Sequence, residues 1–156
     1  MRKLVLVLCA VAAALVVTVV ALADGGGEKA LRASLAPSVP TDPAFHGVTP
    51  GGVPWVLTRG EVRIKADGEF DLEVVGLVIP ALGNPDGVTT ISASLFCGAD
   101  ANTAPAVTTQ RVPLSAEGDA RISERVSLPA TCLAPIVLVH PNGITARWIA
   151  VTGWKM

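Results

Sequence analysis

Aromatic side chains and histidine are scarce in this 156-residue chain, which has no tyrosine, three phenylalanines, three tryptophans and two histidines. Without tyrosine, the tyrosine corner of immunoglobulin domains cannot form. His46 and His140 lack a third ligand at metal-binding spacing, and no His-Glu-x-x-His, Gly-x-Ser-x-Gly or phosphate-loop motif is present. We therefore expect no catalytic residue, no metal site and no cofactor.

Runs of basic residues are also absent, because the 12 lysines and arginines are scattered along the chain. Removing Arg2 and Lys3 with a cleaved N-terminal segment would leave ten basic against 13 acidic side chains, a net charge of −3. Nucleic acids and anionic membrane surfaces are recognised by clustered cations. We therefore expect no nucleic-acid partner.

The first 23 residues have the layout of a secretory signal peptide. Arg2 and Lys3 precede an apolar run over residues 4–23, which ends in Ala-Leu-Ala before Asp24. A positive start, an apolar stretch and small residues at the cleavage site define such signals. We predict cleavage between Ala23 and Asp24, and a secreted domain.

The same run supports a second interpretation. Its 20 residues are enough to cross a bilayer as a helix. If uncleaved, the segment would be a membrane anchor, with Arg2 and Lys3 in the cytoplasm and the domain outside. Both interpretations place the domain outside the cytoplasm, and the only membrane contact that we expect is through an uncleaved segment 1–23.

Two of the three cysteines are expected to form a disulfide. Cys9 lies inside the apolar run, which leaves Cys97 and Cys132 as an even pair in an oxidising compartment. The alternatives are two free thiols or part of a metal site. Neither cysteine has a histidine nearby in the sequence, and two cysteines alone do not complete a zinc site.

The chain divides into three regions by composition. Residues 1–23 are the signal or anchor, residues 24–52 are a linker or strap rich in glycine and proline, and residues 53–156 are the folded domain. Within the linker, residues 28–35 are the one stretch that could form a short helical turn. The pattern after residue 53 is β.

A turn pattern of a small residue or proline, a polar residue and glycine occurs at residues 66–68, 85–87, 116–118 and 141–143. It favours three-residue hairpin loops that end in a left-handed glycine. With one disulfide, about eight strands and an N-terminal signal or anchor helix, the pattern predicts an antiparallel β-sandwich, immunoglobulin-like or of a related Greek-key type. The strands are expected near 54–58, 60–66, 69–79, 88–97, 105–114, 119–128, 135–140 and 144–153.

The loop at 66–68 has a testable register. It pairs Ile64 with Phe70 and Val62 with Leu72, and it places opposite charges together on the other face. A loop at 116–118 likewise predicts the pairs Leu114 with Ala120 and Val112 with Ile122. A change of apolar parity near Val75 and Gly76 predicts a bulge or kink, and the apolar stretch 136–139 predicts a central, covered strand.

Three groups of side chains are candidates for function. Trp55 and Trp154 are possible ligand contacts, since exposed indole rings stack on sugars, whereas Trp148 is expected in the core. The carboxylates near one another in the predicted register are Glu61, Glu69, Asp71 and Glu73, with basic residues opposite them, so a solvated, charge-balanced face is expected. Glu124 lies on the same face of its predicted strand as apolar residues, and it lies opposite Gln110. This arrangement favours a local bulge that turns both side chains outward.

Five segments carry a family resemblance: Pro50 to Trp55, Gly60 to Arg63, Val75 to Pro80, Pro113-Leu114 with Gly118 to Ala120, and Leu138 to Gly143. They resemble uncharacterised small exported β-sandwich proteins of high-GC bacteria. The resemblance covers about two-thirds of the chain. It implies an exported sandwich and assigns no activity and no functional residue.

Together these observations predict an exported, non-enzymatic module that acts by surface contact with a protein or glycan of the cell envelope. One alternative is a carbohydrate-binding module that uses exposed tryptophans. A second alternative is a metal-binding or hydrolytic enzyme on the same scaffold. That enzyme would need Glu124, Gln110, His140 or the Glu69–Glu73 face to converge in one pocket.

Overall fold

The computed structural model describes residues 29–99 and 104–155, with the backbone alone at Lys29. The predicted signal or anchor segment 1–23 and the cleavage site between Ala23 and Asp24 lie outside these residues. Within the two described ranges, no helix combines the length and the apolar character needed to cross a membrane.

The described part of the chain forms eleven strands and no α-helix. They are β1 (Lys29–Pro37), β2 (Thr49–Pro50), β3 (Arg59–Lys65), β4 (Glu69–Val75), β5 (Thr90–Phe96), β6 (Val107–Thr108), β7 (Val112–Pro113), β8 (Ala120–Arg125), β9 (Ile136–Pro141), β10 (Arg147–Trp148) and β11 (Ala150–Thr152).

Nine strands form one antiparallel ladder in the order β6-β5-β9-β11-β1-β3-β4-β8, with β7 also paired to β5. β2 and β10 form a separate, short parallel pair. β1 joins two halves of the ladder, because it pairs with β3 as far as Ser34 and with β11 from Leu35 onward. The predicted all-β, antiparallel class is therefore confirmed.

β1 lies in the region predicted as a linker or strap. The helical turn that the sequence allowed over residues 28–35 does not form at residues 29–35, which instead belong to a strand in the middle of the ladder. Leu31, Ala33 and Leu35 alternate with polar residues and pack into the main core. This period of two is the pattern of a half-buried strand, and the ladder bonds to β3 and β11 decide the conformation.

The hairpin at residues 66–68 forms as predicted. Ile64 lies opposite Phe70 and Val62 opposite Leu72. The amide of Gly68 donates to the carbonyl of Lys65 over 2.9 Å, and Gly68 has a φ of 91°, which is the left-handed position that such a loop needs.

The turn at residues 116–118 also forms, but its predicted strand pairs are wrong. Val112 pairs with Ile91 of β5, and Ile122 pairs with Leu72 of β4. The chain therefore passes from one half of the ladder to the other at this turn. Cross-strand partners decide this crossing, and the local turn pattern carries no information about it.

The other two turns differ from the prediction in type. Both central residues of each turn have a positive φ, between 42° and 75°; they are Asp86 with Gly87, and Asn142 with Gly143. In each turn the amide after the glycine donates to the carbonyl of the proline before it. These are two-residue turns with both central residues left-handed, as type I′ requires.

The predicted kink near Gly76 is confirmed, since β4 ends at Val75 and Gly76 has a φ of 68°.

The main core is formed by residues from both halves of the ladder. It includes Val62, Phe70 and Leu72 from one half and Ile91 and Val139 from the other, all buried. Burial of apolar surface of this kind is the main stabilising contribution to folding.

A second cluster covers the outer face of β5, β9 and β11. Residues 38–50 lie over this face. The Phe45 ring is 5.5 Å from the Trp148 ring, and His46 stacks on Phe96 at 4.8 Å. Leu138 is fully buried beneath them. The central, covered strand predicted over residues 136–139 is therefore confirmed.

Cys97 and Cys132 form the predicted disulfide, with 4.9 Å between their Cα atoms. Cys97 follows β5 and Cys132 precedes β9, two strands that pair at Phe96 and Ile136. The amide of Gly98 also donates to the carbonyl of Leu133 over 2.6 Å. The bond therefore joins the ends of two neighbouring strands of one half.

Candidate functional site

The carboxylates of the predicted charged face are all engaged by basic side chains. Glu61 accepts bonds from Arg63 and Arg32, and these two guanidinium groups, Arg63 first, lower the pKa of Glu61 to about 2. The remaining pairs are Glu73 with Arg59, Glu69 with Lys65, Asp71 with Arg121, and Asp67 with Arg125. The expected charge-balanced face is therefore present.

This face does not bring the residues of the enzyme hypothesis together. Asp71 and Glu73 line a shallow depression with Glu61, Leu72 and two arginines, and neither Glu124 nor His140 is part of it. Among the described residues, no group of three or more histidine, cysteine, aspartate or glutamate side chains could hold a metal ion.

Glu124 and Gln110 are in contact, but through the backbone of Gln110. The Glu124 carboxylate accepts a hydrogen bond from the Gln110 amide over 2.9 Å. The expected bulge that turns both residues outward is wrong for Glu124, which is half-buried and pairs with Phe70 of β4 without a register shift. Of the two residues, only Gln110, in the irregular stretch between β6 and β7, is exposed.

The tryptophans do not form the expected pair of ligand contacts. Trp55 is only 4% exposed and packs in the main core, and Trp148 is fully buried, as predicted. Trp154 is 80% exposed. A platform made of Trp55 and Trp154 is therefore not formed, because the Trp55 ring is inaccessible.

The structure points instead to a polar groove along β5. It is an open cavity of about 720 Å³ between the edge segment 107–113 and the turn 141–145. None of its lining side chains is acidic, and most are alcohols: Thr90, Ser92, Thr108, Thr109, Gln110, Arg111, Pro113, Gly143 and Thr145. Ser92 and Thr109 are buried, so the hydrogen-bonding side chains that the groove leaves accessible are those of Thr90, Thr108, Gln110, Arg111 and Thr145.

The alternation of β5 supplies the floor of this groove, where Ser92 is buried. Ile91, Ala93 and Leu95 point into the main core, and the residues between them present hydroxyl groups on the opposite face. Ser94 bonds the hydroxyl of Thr108 over 2.9 Å. One face of the strand is therefore polar although both faces are covered along most of its length.

The edge of the groove is held open by an interrupted strand. β6 ends at Thr108 and β7 begins at Val112. Between them the hydroxyl of Thr109 accepts a bond from the Ala93 amide and donates to the carbonyl of Gln110. The Thr109 amide still donates to the Ala93 carbonyl over 2.8 Å. A side chain thus replaces only one ladder acceptor at Thr109, and the regular pairing with β5 is interrupted until Val112.

Arg111 lies along the wall of the groove against the turn. A Cβ atom on Gly143 would be 2.8 Å from the Arg111 Cδ, and Gly143 has a φ of 73°. Only glycine therefore permits both this turn and this position of the Arg111 stem. The guanidinium makes one long hydrogen bond, 3.5 Å from Nη1 to the Asn142 carbonyl.

Asn142 fixes the turn to the neighbouring loop. Its side-chain oxygen accepts bonds from the amides of Thr89 and Thr90, at 3.0 and 3.2 Å, and its side-chain nitrogen donates to the Gly87 carbonyl. This one side chain therefore positions both turns at that end of the groove.

His140 lies next to Ser92 in the ladder and is fully buried. Its Nδ1 is 2.7 Å from the Arg147 carbonyl. A carbonyl only accepts, so Nδ1 carries the proton and Nε2 is an acceptor, without a hydrogen-bond partner among the described residues. Burial lowers the pKa of His140, and the bond to the carbonyl opposes this only in part.

Sequence reasoning did not single out Ser92 or Arg111. The alternating hydroxyls at Thr90, Ser92 and Ser94 were a usable signal of a polar strand face. The position of Arg111 against Gly143 depends on a contact between distant parts of the chain, which no local pattern shows.

No protein-family model, no curated protein and no solved structure matches this chain.

Proposed function

We propose that this chain is an exported, non-enzymatic β-sandwich module that binds a polar partner, a protein or glycan of the cell envelope or extracellular space, by surface contact. The groove over β5 is the contact site. The observation that carries this proposal is the set of hydroxyl, amide and guanidinium groups gathered on one open, acid-free surface.

Two features support the sandwich. The inward faces of β3, β4 and β8 share one core with those of β5 and β9. β1 belongs to both halves of the ladder, as expected of a strand at the margin of two facing sheets.

Export is supported by the disulfide and by the N-terminal sequence. Disulfides persist mainly in oxidising compartments, and residues 1–23 have the composition of a signal or anchor. The test is an intact mass of the native protein from membrane and supernatant fractions. A chain that starts at Asp24 indicates a secreted domain, one that retains the N terminus indicates an anchor, and an intact chain found only in the cytoplasm contradicts the proposal.

The groove is tested by blocking it. A tryptophan in place of Thr145, an exposed lining residue, fills the groove without altering the core. The matched control is Thr131→Trp, at an exposed threonine outside the lining. Amide shifts are measured by NMR on titration with peptidoglycan fragments and with neutral and acidic polysaccharides.

The expected result is saturable shifts at residues 90–92, 108–113 and 143–145 in the wild type and in Thr131→Trp, and their loss in Thr145→Trp. Equal binding by both variants would exclude the groove as the contact site. Absence of saturable binding to every polymer would overturn the proposed glycan partner.

The carbohydrate-binding alternative keeps one supporting observation, the exposed ring of Trp154. Stacking on a sugar would require this ring. Trp154→Ala should abolish polysaccharide binding under this alternative and leave it unchanged if the groove binds the ligand.

A further inference from the structure

We infer that the groove binds a ligand that carries an anionic oxygen group, either a carboxylate or a phosphate. Arg111 pairs with this group. The inference rests on the proposed function, because it requires that a ligand occupy the groove. It adds the chemical class of that ligand.

The first argument is that Arg111 lacks a carboxylate partner, unlike most of the described basic side chains. Seven of those described have a carboxylate within 4 Å, whereas Arg111 and Arg147 have none. Arg147 donates instead to the Pro50 carbonyl over 3.2 Å. Arg111 has only the 3.5 Å contact with the Asn142 carbonyl. Its five N–H donors are therefore largely available to a ligand.

The second argument is position. Arg111 lines the groove, and its stem is in contact with Gly143 on the opposite wall. A guanidinium is planar and binds carboxylates and phosphates through two parallel hydrogen bonds. With the stem held by the turn, less side-chain entropy is lost when the ligand binds.

The third argument is the surroundings of Arg111. None of the lining residues is acidic, so no carboxylate of the groove repels an anion. Glu124, which touches the groove residue Gln110, directs its oxygen to the Gln110 amide. The Thr145 hydroxyl can donate to an oxygen of the anion that Arg111 leaves unpaired, and so can the Thr108 hydroxyl when Ser94 is the donor of the bond between them.

The experiment compares three sugars that share the glucose ring and differ at C6, which carries a hydroxyl, a carboxylate or a phosphate. Wild-type protein is titrated with glucose, glucuronate and glucose 6-phosphate, and the amide shifts of residues 108–113 and 143–145 give the dissociation constants. One charge-assisted, bidentate contact should strengthen binding about tenfold over glucose. Raising the salt concentration should weaken the binding of the two anions and leave that of glucose unchanged.

The variants are Arg111→Met, which keeps the stem length and removes the charge, and Arg59→Met as a control. Arg59 pairs with Glu73 on the charged face, away from the groove. Arg111→Met should reduce the affinity for both anions to that for glucose, and Arg59→Met should leave the preference intact.

Tighter binding of glucuronate than of glucose 6-phosphate would favour a carboxylate ligand, and the reverse order a phosphate ligand. Equal binding of the three sugars, or an anion preference that survives Arg111→Met, would overturn the inference. The proposed function would still stand if Thr145→Trp abolished that binding, and its glycan partner would be excluded if no polymer bound.

Discussion

The carboxylate of Glu124 accepts a hydrogen bond from the main-chain amide of Gln110, with 2.9 Å between Oε1 and N. Glu124 belongs to β8, at one end of the ladder, and Gln110 lies between β6 and β7, at the other end. A side chain therefore connects the two edges at a place where the ladder has no backbone pairing.

Removing this contact should lower stability. We expect Glu124→Ala to reduce the free energy of unfolding by about 1–2 kcal/mol, since an amide at the edge loses a charged acceptor. Glu124→Gln keeps an acceptor and should cost less. Urea unfolding measures both, with Glu117→Ala as the control, because the exposed Glu117 carboxylate has no ion pair among the described residues. An equal effect of Glu117→Ala would contradict a specific role for the contact.

The disulfide should account for a large share of the stability. Cys97 and Cys132 are 35 residues apart in sequence, and closing a loop of this length stabilises by roughly 4 kcal/mol in the chain-entropy model. The double variant Cys97→Ser with Cys132→Ser should lose about this amount in urea unfolding. Reductant should lower the wild-type midpoint and have no effect on the double variant. A loss below about 1 kcal/mol would show that the unfolded chain is already compact.

Replacements of Asn142 should separate side-chain bonding from backbone conformation. Asn142→Gly keeps the positive φ of 49° and loses the bonds to Thr89, Thr90 and Gly87. Asn142→Ala loses the bonds and adds backbone strain, so it should be less stable than the glycine variant by about 1 kcal/mol. Asn142→Asp keeps the acceptor and should be the mildest. Equal stability of the glycine and alanine variants would contradict the left-handed conformation.

His140 should make stability depend on pH in a defined direction. Because its pKa is lowered in the folded state, the unfolded chain binds more protons below about pH 6.5. Its contribution is therefore complete above pH 6.5 and decreases as the pH falls toward the folded pKa. His140→Asn keeps a donor near the Arg147 carbonyl and does not titrate. Urea unfolding from pH 5.5 to 8 should show a decline at low pH in the wild type and a smaller one in the variant. A decline of the same size in both would assign it to another group.

The sequence predicted the elements whose evidence is local. The hairpin at residues 66–68 was correct because apolar pairs and opposite charges agree in only one register. The stretch 136–139 was correct because a strand apolar on both faces needs cover on both faces. The disulfide followed from the parity of the cysteines outside the apolar run.

The remaining elements depended on distant partners. β1 was missed because its bonds are made to β3 and to β11 near the end of the chain. The pairing across residues 116–118 was wrong because the two flanking strands find better partners in β4 and β5. The groove was missed for the same reason, since Arg111 differs from other arginines only in what surrounds it.

The pairing of β1 with β11 also affects the order of folding. Leu35–Pro37 pair with Ala150–Thr152, and every other described strand of the ladder lies between these two segments in the sequence or overlaps them. Contacts so far apart in sequence form slowly. β1 therefore completes its pairing only after β11 has been synthesised, and the two halves of the ladder can be joined through β1 only at that late stage.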